Sequence, residues 1–78
     1  MSNIKKYKDV FLEAFSVDKS SLDNLEYNSI TDWDSVGHMG LIAGLEEAFD
    51  VMLEMDDIID FSGFVRGKEI LEGYDIVL

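Results

Sequence analysis

Ser35 follows an aspartate at the start of an apolar run, and His38 stands three residues further on. Residues three apart on a helix are neighbours, so a hydroxyl nucleophile with an imidazole base is the first chemistry to weigh. Its context argues against it. No Gly-x-Ser-x-Gly turn surrounds Ser35, no strand precedes it, and 78 residues leave little room for an oxyanion hole and a substrate pocket. A second candidate is the acidic group Glu54, Asp56, Asp57 and Asp60. A calcium loop needs alternating oxygen ligands, a glycine at its sixth position and a glutamate at its twelfth, and that spacing is absent. The lack of cysteine excludes thiolate metal sites, disulfides and cysteine nucleophiles. The residues therefore offer no catalytic set and no metal set, and the chain is expected not to be an enzyme. What remains is a single serine hydroxyl at an expected helix start.

Charge narrows the choice of partners. Seventeen acids against six bases give a net charge of −11, which disfavours nucleic acid and anionic membrane surfaces. The bases are confined to Lys5, Lys6, Lys8 and Lys19 at one end and Arg66 and Lys68 near the other. No Lys or Arg lies between Ser20 and Val65, and eleven acids do. Such a block serves solubility or steers basic partners towards it. Asp56, Asp57 and Asp60 are expected to crowd one another. No apolar run approaches the ~20 residues that span a bilayer, and no apolar signal core follows the lysines at the start. A cysteine-free chain of this kind is expected in the reducing cytoplasm as a monomer.

The elements that must position Ser35 follow from periodicity. At 47% hydrophobic the chain can build one small core, so residues 1–78 are expected to form a single domain. Ile4, Tyr7, Val10, Phe11, Ala14 and Phe15 recur at helical spacing, with Ser2 or Asn3 as cap. From Ser16 to Asp34 the periodicity is lost, and scattered Leu22, Leu25 and Ile30 suggest a loop pinned across the core. A second helix is predicted from Ser35 to Phe49, capped by Asp34 or Ser35, and a short third from Met55 to Asp60. Ser62 is expected to cap a fourth carrying Phe64, Val65, Ile70, Leu71 and Tyr74, with Gly73 at its end. No stretch alternates as a strand would. The expected fold is all-α: three main helices, one short helix, and a long first connection.

On an ideal second helix, Leu41, Ile42, Leu45 and Phe49 fall within an arc of ~100°, an ordinary core stripe. Val36, Met39 and Ala43 form another apolar strip on the Ser35 side, flanked by Glu46 and Glu47. That strip either packs under the long loop or stays open as a contact surface. His38 projects with the core stripe. Trp33 reads as a staple folding the loop onto the helix, or as a recognition aromatic. Met39, Met52 and Met55 read as core or groove fillers.

The Asp34-Ser35-Val36 triplet, the Leu45-Glu46-Glu47-Ala48-Phe49 helix end, the acidic charge and the long first loop together resemble the acyl carrier proteins and related phosphopantetheine-binding carrier domains. The resemblance spans essentially the whole chain. It implies that a phosphopantetheinyl transferase moves 4'-phosphopantetheine from coenzyme A onto Ser35. The arm's thiol would then carry an acyl group as a thioester. It further implies a docking surface of Asp34, Val36, Met39, Glu46 and Glu47, met by acyl-loading and acyl-transfer enzymes with basic patches. His38 would be a packing residue or lie near the prosthetic group. Asp32-Trp33 replaces the small residues that usually precede the Asp-Ser pair, and Gly37 and Gly40 replace acids on the helix. This form looks more like a specialised, free-standing carrier. An aminoacyl or peptidyl carrier and a non-covalent acidic helical interaction module with Ser35 unmodified are the alternatives.

Overall fold

An amphipathic first segment with a serine ahead of it makes a helix, α1, over Asn3–Ala14, and the Ser2 hydroxyl accepts a hydrogen bond from the Lys5 N–H. The computed structural model describes residues 2–78. Tyr7, Phe11 and Phe15 of this segment are buried, whereas Ala14, placed with them by spacing, is exposed. Phe15 reaches the core from the C-cap, where extended backbone ends the helix.

The long connection is pinned as expected, but it is not structureless. Lys19–Asn24 form a 3-10 turn that buries Leu22. Leu25 and Trp33 are buried too. Tyr27 N–H donates to the Ser62 carbonyl and Phe64 N–H to the Leu25 carbonyl, each at 2.9 Å, which ties the loop to the far end of the chain. The isolated bridge between Glu26 and Gly63 is the β contact seen among the described residues.

Helix α2 spans Ser35–Phe49, α3 Met55–Asp60 and α4 Phe64–Glu72. Leu41, Ile42 and Leu45 face the core as the spacing predicts, and Phe49 is half-buried. The Ser62 cap is corrected. Gly63 occupies the N-cap of α4 without a side-chain bond, because its extended backbone (φ −172°) is already paired with the loop. Gly73 does close α4, in a right-handed conformation. The architecture is all-α. α1 packs against α2, and the Tyr7 hydroxyl, donating to the Phe64 carbonyl, joins α1 to α4. Burial pushes the Tyr7 phenol above its ordinary pKa, so it stays a neutral donor.

Two of the three acids expected to crowd one another on α3 have partners. Asp60 pairs with Arg66 of α4, and Asp57 accepts a hydrogen bond from the Tyr74 hydroxyl. Hydrogen bonds to Asp60 and Glu69 hold the Arg66 pKa up, and the bond to Asp57 does the same for Tyr74. Among the described residues no helix is long and apolar enough to cross a membrane.

Two helical glycines have opposite surroundings. A Cβ on Gly67 would lie 2.2 Å from Phe61 Cζ and 2.3 Å from Tyr7 Oη, both fixed in the core. A Cβ on Gly40 would meet nothing within 4 Å. Gly67→Ala is expected to destabilise by about 1–3 kcal/mol through overpacking. Gly40→Ala should stabilise by about 0.5–1 kcal/mol through helix propensity. Urea melts of the two variants check the pair; the same sign for both would contradict the packing described.

Candidate functional site

The site is assembled at the first turn of α2. Asp34 is its N-cap, with extended backbone, and its Oδ1 accepts from the Gly37 N–H at 2.8 Å. His38 N–H donates to the Asp34 carbonyl at 2.8 Å, closing the first helical bond. Ser35 is thus the first helical residue, and its side chain is exposed. The chain must fold back tightly to enter this helix. The Asp32 carbonyl lies where a Gly37 side chain would begin, 1.9 Å from an ideal Cβ, so position 37 has room only for glycine. This explains the glycine where the resemblance places an acid.

Trp33 is fully buried and anchors the entry. Its ring stacks on Phe15 and meets Phe11 edge-on, with centroids at 5.2 and 5.6 Å. Its Nε1–H donates to His38 Nδ1 at 2.9 Å. With Nδ1 accepting, the proton of the neutral ring sits on Nε2, which donates to the Ile58 carbonyl at 2.8 Å. His38 therefore links the loop, α2 and α3. Both its nitrogens are engaged, which leaves no base aimed at Ser35. Trp33 acts as the staple.

Beside Ser35 lies an open cleft of about 460 Å3 between α2 and α3. Met39 forms one wall, Met55, Ile58 and Ile59 the other, and Phe61 lies beneath. Tyr27 and Ser35 stand at its edge, with Tyr27 Oη 3.2 Å from Ser35 Oγ. The lining is almost entirely apolar. Met39, Met55 and Ile59 keep 57%, 71% and 74% of their surface exposed, so the cleft is unfilled by the fold itself.

The five expected docking residues divide. Val36 and Met39 are exposed, so the second strip of α2 stays open rather than packing under the loop. Glu47 is exposed on the same side. Asp34 is engaged in capping, and Glu46 Oε2 accepts from the Leu53 N–H at 2.9 Å, fixing the turn between α2 and α3. Asp34 and Glu46 thus hold this face of α2 in shape, leaving Glu47 as its freer charge.

Sequence reasoning missed Tyr27, Ile58 and Ile59. The isoleucines gave little signal, since adjacent helical residues about 100° apart can share one core stripe, as Leu41 and Ile42 do. Tyr27 gave none, since it meets Ser35 through the fold-back of the loop, with Asn28 in left-handed backbone (φ 66°). Compared with known proteins, the chain matches no family model, no curated protein and no solved structure.

Proposed function

We propose that this chain is an acyl carrier, modified on Ser35 with 4'-phosphopantetheine and holding acyl groups as thioesters. The observation that carries the reading is an exposed serine hydroxyl at the start of a fifteen-residue helix, on the edge of an apolar cleft. In the modification, Ser35 Oγ bonds to the coenzyme A phosphorus that bears the pantetheine. The pyrophosphate P–O bond breaks, adenosine bisphosphate leaves, and the serine proton passes to the transferase's base. The positive end of α2 tolerates the resulting phosphodiester. The cleft gives an acyl chain a place to leave water, at about 0.8 kcal/mol per buried methylene. Its apolar lining favours an acyl chain over a charged aminoacyl group. A reducing compartment would keep the arm's thiol available.

The test is the intact mass after incubation with coenzyme A, magnesium and a broad-specificity phosphopantetheinyl transferase. Gain of one phosphopantetheine supports the carrier. No gain on folded protein favours the second reading, a non-covalent interaction module. That reading is favoured by the exposed Val36, Met39, Met55 and Ile59.

Docking follows from the same surface. Charges at the edge of an interface set on-rate and salt dependence. Glu47→Lys should lower the transferase's kcat/KM about three- to tenfold at low salt, with the deficit shrinking as salt screens it. An unchanged rate at low salt would remove Glu47 from the docking face.

A further inference from the structure

We propose that Tyr27 is a positioning residue for the group carried on Ser35. Its hydroxyl fixes Ser35 Oγ before modification and donates to the phosphodiester afterwards. This rests on the carrier reading above and adds a residue to it.

The mounting of Tyr27 is rigid for a side chain that is 38% exposed. Its backbone N–H is bonded to the Ser62 carbonyl, the Asn28 N–H is bonded to the Trp33 carbonyl, and Glu26 is bridged to Gly63. Its ring meets His38 edge-on, with centroids 5.5 Å apart at 80°. His38 is in turn held by Trp33 and Ile58. The phenol therefore reaches Ser35 Oγ, at 3.2 Å, from a fixed base rather than from a mobile loop.

Charge makes this hydroxyl matter. A phosphodiester on Ser35 brings a negative charge next to Asp34, in a stretch with no Lys or Arg from Ser20 to Val65. The Gly37 N–H already serves Asp34 Oδ1, and the His38 N–H serves the Asp34 carbonyl. The local compensation must come from neutral donors. Those are the N–H groups of Ser35 and Val36 and the Tyr27 O–H. Before modification, a Tyr27 hydroxyl that donates to Ser35 Oγ restricts the serine rotor and leaves its own O–H free for the transferase's base. The attacking atom is then presented in one orientation.

The test compares wild type with Tyr27→Phe, which keeps the ring and its contact with His38. Melting temperatures of the apo forms verify the fold. The variant's transferase kcat should fall about three- to tenfold, as expected for one lost hydrogen bond, with KM unchanged because the docking face is intact. The phosphorus NMR resonance of the modified variant should shift from that of the modified wild type. Unchanged kcat and an unchanged phosphorus resonance in a folded variant would overturn the role of Tyr27 while leaving the carrier reading standing. A wild-type chain that gains no mass would overturn both.

Discussion

Ser35→Ala is expected to end phosphopantetheine transfer outright while the helical circular-dichroism spectrum and the melting temperature barely change. The two halves of this expectation have separate physical grounds. The transfer needs a hydroxyl oxygen to form the new bond to phosphorus, and alanine has none. The fold does not need it, because α2 is capped by Asp34, whose carboxylate receives the Gly37 N–H. Ser35 lies one residue inside the cap and is exposed, and its recorded side-chain partner is the exposed Tyr27. Alanine is also the better helix former. Substitutions at such surface positions usually stay within ±0.5 kcal/mol, so the effect on stability should fall in about that range. Intact-mass analysis after transferase treatment reads the first half. A mass gain persisting in the alanine variant would move the attachment to another hydroxyl, and Ser62, on the same cleft, is the first to examine. The contrast with Asp34→Ala is instructive. That change leaves the nucleophile but uncaps the helix, at about 1 kcal/mol.

Helix limits were legible where packing and capping chemistry are local. The three- and four-residue spacing of Tyr7, Val10 and Phe11 marks α1, and Asp34 ahead of an apolar run marks the start of α2. The short α3 also lies where expected, Met55–Asp60. The 3-10 turn over Lys19–Asn24 escaped because a single buried leucine among polar residues has no period. The start of α4 misled for a similar reason. Ser62 is the better capping residue by type, but a backbone bridge from the loop holds Gly63 there instead. At the site, the serine and the second apolar strip were legible because they sit on one helix, but the exposure of that strip was not, since it depends on where the loop packs. The linkage of Trp33, His38 and Ile58 was not, since it joins a loop and two helices through atoms whose alignment spacing does not encode. His38 was placed on the core side by its phase, but phase alone does not say that both its nitrogens are bonded. The cleft was hidden for the same reason: it exists only once α3 is set beside α2.

Trp33→Ala should be the most damaging single change to the fold. The side chain is fully buried at the junction of the loop, α1 and α2. It contacts Phe11, Phe15 and His38, and replacing it leaves a large cavity between rings that cannot collapse together. Burial of this kind is worth about 3–5 kcal/mol. A chain of this size has a total stability of about 4–12 kcal/mol, so from about a quarter to all of the margin would go. The melting temperature should fall by at least about 12 °C. Because the loss in that variant reaches the lower end of the chain's total stability, Trp33→Phe isolates the local consequence. It keeps an aromatic ring in the core and removes the Nε1–H, leaving His38 Nδ1 without its donor. The cost should be about 1–2 kcal/mol. The His38 ring is then fixed only through Nε2, and α3, which buries no residue fully, loses part of its anchorage to α2. Amide hydrogen exchange should therefore quicken in α3 more than in α1, where the aromatic contacts persist. Uniform exchange across both helices would show that Trp33 only fills space and that His38 needs no help from it to hold the cleft.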